Sequence, residues 1–231
     1  MKTLFMTCRL LLVLTSLSLP ACAKTYSAKP ITATVVDAET WEPLEGVNVV
    51  AEWILHYPTW RSDGSLEVAE AVTDKKGQFH IPGWGPKAVP SHLPHGTRLG
   101  NIDPGLYFFK SGYRVRALDN SRRQPERLLP RNDIPVRYSD WDGKLIWLEK
   151  FKGSLQDYAS MVKSASGFHF QDCKWVKFRR WLMAMFREAD RLNAAGVSGV
   201  RNSTIDYRWW SSRRDKNECG RLEEIFSEYL K

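Results

Sequence analysis

Residues 31 to 37, Ile-Thr-Ala-Thr-Val-Val-Asp, are β-branched and nearly alternating, which predicts a strand with Ile31, Ala33 and Val35 on one face. A turn over 39 to 46, shaped by Pro43 and Gly46, leads into a clearer strand, with Val47, Val49, Ala51 and Trp53 on one side. After a loop over 56 to 66, residues 67 to 73 alternate again through Val68 and Val72. Asp74-Lys75-Lys76-Gly77 then predicts a tight turn, with 78 to 81 as the return strand of a hairpin. Strand-like runs follow at 106–109, 114–118 and 144–149. Two Pro/Gly-rich stretches, 82 to 105 and 119 to 142, interrupt the pattern and are expected to be irregular. Loops of such length are uncommon in compact domains and are either functional or poorly ordered, so both are candidate binding surfaces.

Beyond residue 150 the apolar period changes from two to about 3.6. Ser154-Leu155-Gln156-Asp157 has the form of a capping box, with Leu155, Tyr158 and Val162 on one helical face. A second helix is expected from an Asp172 cap to about Ala194, with Trp175, Phe178, Leu182, Met185, Ala189 and Leu192 in its stripe and Gly196 as its stop. A last segment, 222 to 230, places Leu222, Ile225, Phe226 and Tyr229 together. These stripes must be buried, so the helices are expected to share a core with the strands.

The N-terminus changes the chemical setting. Lys2 and Arg9 precede a short apolar run from Leu10 to Leu19, and Ala21-Cys22-Ala23 fits an export peptidase site. Residues 1–23 are therefore expected to be a signal peptide, with the chain exported to the periplasm or the extracellular space. The run is too short to span a bilayer, which takes roughly 20 residues. Leu19-Pro20-Ala21-Cys22 also resembles a bacterial lipobox, so lipidation of Cys22 stands beside soluble export. Removal of Cys8 and Cys22 leaves Cys173 and Cys219, which in an oxidising compartment are expected to form a disulfide.

Charge is uneven. Residues 24–149 hold 16 Lys and Arg against 16 Asp and Glu, whereas 150–231 hold 16 against 10. The excess lies among aromatics, around Lys174-Trp175-Val176-Lys177 and Arg208-Trp209-Trp210. Lys174, Lys177, Arg180 and Arg187 are expected to share a solvated helix side and, with Arg213 and Arg214, form a candidate contact for an anionic membrane surface or an acidic envelope polymer. Export and the lack of a recognition motif argue against nucleic acid.

In order along the chain, Val35-Val36-Asp37, Glu42-Pro43-Leu44-Glu45-Gly46-Val47-Asn48-Val49, Thr73-Asp74-Lys75-Lys76-Gly77-Gln78-Phe79-His80-Ile81, Pro104-Gly105-Leu106-Tyr107 and Lys110-Ser111-Gly112-Tyr113 form a pattern. It resembles the carboxypeptidase regulatory-like domain, a transthyretin-like or prealbumin-like β-sandwich. The resemblance covers about residues 30 to 150 and implies a non-catalytic module, often an accessory to folding, adhesion or envelope assembly. The expected fold is mainly β with α: a seven-stranded antiparallel sandwich over 28–150, then a helical basic extension over 151–231.

Candidate chemistry is thin. His92-x-x-His95 with Asp103 is the one histidine pair at metal-holding spacing, and a solvated loop accounts for it more simply. Asp140 and Asp142 flank Trp141, a pattern suited to a sugar or a cation, although a turn is its commoner explanation. No nucleophile elbow, phosphate loop, dinucleotide fingerprint or peptidase zinc motif occurs. No catalytic residue, metal or cofactor is expected. The expected function is a non-enzymatic exported binding or scaffold module of the bacterial cell envelope, whose partner is an envelope protein or polymer. The alternatives are a hydrolase or metal-dependent enzyme with its site in the 82–105 and 119–142 loops, and a protein acting on an anionic membrane through its basic helices.

Overall fold

The computed structural model describes residues 24–57, 62–100, 102–120, 135–165, 173–200, 220 and 222–228. The expected signal peptide, Cys22, Asp172, Cys219, Arg213 and Arg214 lie outside them. The described chain is mainly β with helices after residue 150. Its strands are β1 (Thr25–Ala28), β2 (Ile31–Asp37), β3 (Asn48–His56), β4 (Ser62–Val72), β5 (Gln78–Ile81), β6 (Trp84–Ala88), β7 (Arg98–Leu99), β8 (Gly105–Phe109), β9 (Arg116–Leu118), β10 (Val136–Arg137) and β11 (Leu145–Leu148). The helices are α1 (Leu155–Ser164), a 3-10 turn at Lys174–Phe178, α2 (Arg179–Ala194) and a short α3 (Leu222–Ile225).

Eleven described strands form three sheets where seven in a sandwich were expected: β10-β1-β6, β11-β2-β5, and β4-β3-β8-β9 with β7 on the edge of β3. Part of the surplus lies in the 82–105 segment, expected to be irregular. There β6 pairs antiparallel with β1, across an irregularity between Tyr26 and Ala28 that accommodates Pro86. Gly85 makes the approach possible: at φ +111° a Cβ there would lie 2.5 Å from the Ser27 Cβ. The expectation of an antiparallel fold is also corrected at two places, because β11 runs parallel to β2 and β10 parallel to β1. The Thr32 amide donates to the Asp142 carboxylate at 2.8 Å and the Gly143 amide donates to the Thr32 carbonyl at 2.7 Å, which lays the start of β11 beside the start of β2. The 74–77 turn forms, but it joins two sheets instead of closing a hairpin: β4 pairs with β3, and β5 pairs with β2.

The period-two patterns set the layering. Val49, Ala51, Trp53 and Leu55 of β3, Leu106 and Phe108 of β8, Ala33 and Val35 of β2, Phe79 and Ile81 of β5, and Ile146 and Leu148 of β11 share one apolar core. The opposite face of the β3-containing sheet is also buried. Val50, Val68 and Phe109 pack there with Tyr158 and Val162 of α1, Trp181, Leu182, Met185 and Ala189 of α2, and Phe226. The helices thus share a core with the strands, as their stripes require.

Helix boundaries shift from expectation. Ser154 caps α1, its Oγ accepting from the Asp157 amide at 3.1 Å. Leu155, expected on the buried face, is 47% exposed. The second helix is broken into the 3-10 turn and α2 at Phe178, whose φ of −131° and ψ of 40° are non-helical. No residue of its own caps α2 through a side chain; Glu70 of β4 does so instead, accepting from the Arg180 and Trp181 amides. No helix among the described residues is long and apolar enough to cross a membrane.

Candidate functional site

The helices cover only part of the outer face of the β3-containing sheet. Past Val50 and Phe109 the same face opens into a cavity of about 580 Å³, lined by Ile54, His56, Gly105, Tyr107, Ala117 and Leu118 of the sheet and by Ile102, Asp103, Asp119 and Trp141 from its margins. Its size falls in the range of small-molecule sites, roughly 300–1,000 Å³. The two Pro/Gly-rich segments singled out by length both reach it, since Ile102, Asp103 and Gly105 close the first and Asp119 and Trp141 belong to the second.

Asn120 holds this margin together. Its Nδ2 donates to the carbonyls of Asp103 at 2.7 Å and Tyr138 at 2.9 Å, and its Oδ1 accepts from the Asp140 amide at 2.8 Å. One buried amide therefore ties three chain segments, which fixes the rim before any ligand arrives. Trp141 is fixed as well, because its Nε1 donates to the Asp119 carbonyl at 2.9 Å. With its N–H engaged, the indole offers the cavity its ring.

Asp103 sits at the back, 3% exposed. Burial pushes its carboxyl up to about 7, against the pull of Arg137 and the Ile54 and Gly100 amides, while Glu52 adds to the rise. His56 approaches the same spot. A Cβ placed on Gly100 would lie 2.9 Å from His56 Nε2 and 3.2 Å from Asp103 Oδ2, so the absent side chain makes room for the pair. Behind them Glu52 of β3 accepts a hydrogen bond from Ser65, and Arg137 lies 5.1 Å over the Tyr26 ring. Tyr107 is held well above its ordinary value by burial first, then by the charges of Glu52, Asp103 and Asp119.

The candidates named from sequence are not brought together. His92 and His95 are exposed while Asp103 is buried, and no group of three potential metal ligands occurs among the described residues. Asp142 is engaged with the Thr32 amide, a structural use. Lys177 turns toward the sheet, where it and Lys87 pair with the buried Glu67 of β4. Arg180 and Arg187 are exposed on α2 and Lys174 is half-buried. Cys173 begins the 3-10 turn in the left-handed region, at φ 57°. His56, Tyr107 and Asn120 were not anticipated. The signal available was that polar and aromatic side chains gather at the ends of the two long segments, although sequence could not show that those ends meet.

No family model matches the chain, and no curated protein matches it. Among solved structures it is similar to the 3-chlorocatechol 1,2-dioxygenase of Rhodococcus opacus 1CP, at 17% identity over 57% of this chain and 62% of that chain, with a TM-score of 0.31. The chlorocatechol 1,2-dioxygenase of Pseudomonas putida gives 12% identity over 56% and 62%, with a TM-score of 0.29. A 9R-lipoxygenase from Cyanothece PCC8801 gives 13% identity over 74% of this chain and 25% of that chain, with a TM-score of 0.30. The chain spans less than two thirds of each of these structures, and likenesses this weak carry neither a fold nor an activity across to it.

Proposed function

We propose that this chain is an exported, non-enzymatic binding module of the bacterial cell envelope, and that the cavity at Asp103 and Trp141 is its ligand site. One observation carries the reading: two long segments, separate in sequence, converge on one cavity whose rim Asn120 pre-organises. Ligand-detected NMR with a fragment library tests it, by comparing the protein lacking residues 1–23 with its Trp141→Ala variant. Hits lost in the variant are expected; hits that ignore the substitution contradict the reading.

The finer fold belongs to the same proposal. Three strands, β11-β2-β5, face four, β4-β3-β8-β9, across one apolar core, which is what supports a seven-stranded carboxypeptidase regulatory-like sandwich. On this reading the sheet of β10, β1 and β6 and the helical basic extension are additions to it. A disulfide between Cys173 and Cys219 and export by cleavage after Ala23, or lipidation of Cys22, complete the proposal.

A hydrolase or metal-dependent enzyme using the same cavity is the second reading, favoured by the closeness of His56 and Asp103 around Gly100. Turnover of a panel of p-nitrophenyl esters and glycosides, abolished in Asp103→Asn, would carry it. The anionic-membrane reading draws on Arg180 and Arg187, while Lys177 is committed to Glu67. Liposome co-sedimentation with and without anionic lipid tests it.

A further inference from the structure

The cavity has a chemical character that narrows its ligand. Its lining carries two carboxylates, Asp103 and Asp119, and two aromatic rings, Tyr107 and Trp141. Asp103 lines the cavity although it is only 3% exposed, and its Oδ2, closed off beside Gly100, has no hydrogen-bond partner among the described residues. A buried carboxylate oxygen left in this state is costly unless something else satisfies it. The surrounding field has a sign. Burial first, and then Glu52, Asp103 and Asp119 in turn, oppose a negative charge on the Tyr107 hydroxyl, so the site is negative where the ring meets the cavity. This stands out on a chain whose formal net charge is +8.

We infer that the cavity takes a small organic cation, an alkyl- or arylammonium group, with Asp103 as its counter-charge and Tyr107 and Trp141 as its aromatic walls. The inference rests on the binding-module reading above. An ammonium group would set its charge against the two lining carboxylates and meet the negative faces of two rings, whereas an anion would meet both carboxylates. A neutral sugar could stack on Trp141 but would draw nothing from the field.

The groups facing Asp103 set the expected pH dependence. They are Glu52 and His56 on β3, Arg137 on β10, Tyr107 on β8, Asp119 after β9, and the amides of Ile54 and Gly100. Arg98 on β7 is the cross-strand partner of His56. Arg137 offsets one negative charge, leaving the cluster of Glu52, Asp103 and Asp119 in excess. Cation binding requires Asp103 ionised, so affinity rises with pH through the range near neutrality and binding releases a proton.

The test uses the ¹⁵N-labelled protein lacking residues 1–23, read at the Trp141 indole N–H, whose resonance is assigned by its loss in Trp141→Phe. The probes are n-butylammonium, 1-butanol, butyrate and glucose. Butylammonium is expected to shift the resonance, with roughly tenfold or greater weakening from pH 8.0 to pH 5.5. Asp103→Asn is expected to remove the response. Should that variant fail to fold, Asp119→Asn, exposed at the rim, is expected to weaken binding severalfold while leaving the spectrum elsewhere unchanged. Equal responses to 1-butanol or butyrate, or unweakened binding in whichever carboxylate variant folds, overturn the inference. A response to glucose with none to butylammonium overturns it and leaves the binding site standing; silence to all four probes, with no fragment hits in the cavity, overturns both.

Discussion

Glu70 of β4 accepts a hydrogen bond from the Trp181 main-chain amide at 3.2 Å, and another from the Arg180 amide at 3.0 Å, so the sheet supplies the N-terminal cap that α2 lacks. Those amides would otherwise be orphaned donors at a helix start, and the carboxylate also meets the positive end of the helix dipole. Trp181 itself packs 5.8 Å from Phe109 of β8, so the cap and the core contact fix the same turn. Glu70→Ala is expected to destabilise the protein by about 1–2 kcal/mol in urea unfolding, with Glu70→Gln losing less because it keeps an acceptor. No difference between Glu70→Ala and wild type would show that the helix start is held by packing alone.

Asp37 works in the same manner at the other end of the sheet structure. Its carboxylate accepts from the Thr40 amide at 3.1 Å, the Glu39 amide at 2.9 Å and the Tyr113 hydroxyl at 2.9 Å, with Lys150 at 3.5 Å. These contacts hold it well below the usual 3.8, the Thr40 amide foremost. A folded-state value below the unfolded one gives stability that is present above about pH 4 and lost as pH falls further. Asp37→Asn is therefore expected to flatten the acid limb of the stability curve below that pH. Tyr113→Phe, which removes one buried partner, is expected to cost about 1 kcal/mol at neutral pH.

Asp103 carries the opposite sign. Its folded value of about 7 lies above the ordinary 3.8, so the fold favours the protonated acid. The resulting stability is present at low pH and is lost as pH rises from about 4 to about 7, with an upper bound of about 4 kcal/mol at 1.36 kcal/mol per pKa unit. Asp103→Asn is expected to lose less stability than wild type across that interval in thermal or urea unfolding. Parallel curves for the two proteins would contradict a buried, raised Asp103.

The proposed disulfide gives a mass-spectrometric expectation. Iodoacetamide is expected to leave the unreduced protein of residues 24–231 unlabelled and to add two carbamidomethyl groups after reduction. Cys173→Ser is expected to lower stability by about 2–4 kcal/mol. Two labels without reduction would show that Cys173 and Cys219 are not joined.

Legibility in the sequence followed the range of the interactions involved. β2 occupies residues 31–37 as its alternation indicates, and the Ser154 cap forms because it needs only its own turn. The 178–179 break was hidden because Glu70, the acceptor that caps the helix start after it, lies about 110 residues away. β6 was hidden because Gly85 and Pro86 argue against a strand unless a partner such as β1 is already in place. The cavity was legible only in outline: length marked the two segments, and Trp141 stood out between two acids. The meeting of His56, Asp103 and Asn120 depends on β3, β7 and β8 being registered side by side, which no local pattern encodes.

A ligand site between the two long segments is tested most sharply by the Trp141 indole N–H resonance of the ¹⁵N-labelled protein of residues 24–231, followed while fragment hits from ligand-detected NMR are added one at a time. Hits that shift this resonance, and that no longer bind the Trp141→Ala variant, are the expected result. Hits that bind the variant undiminished, or that leave the Trp141 resonance unmoved, would contradict a ligand site at the meeting of the two long segments.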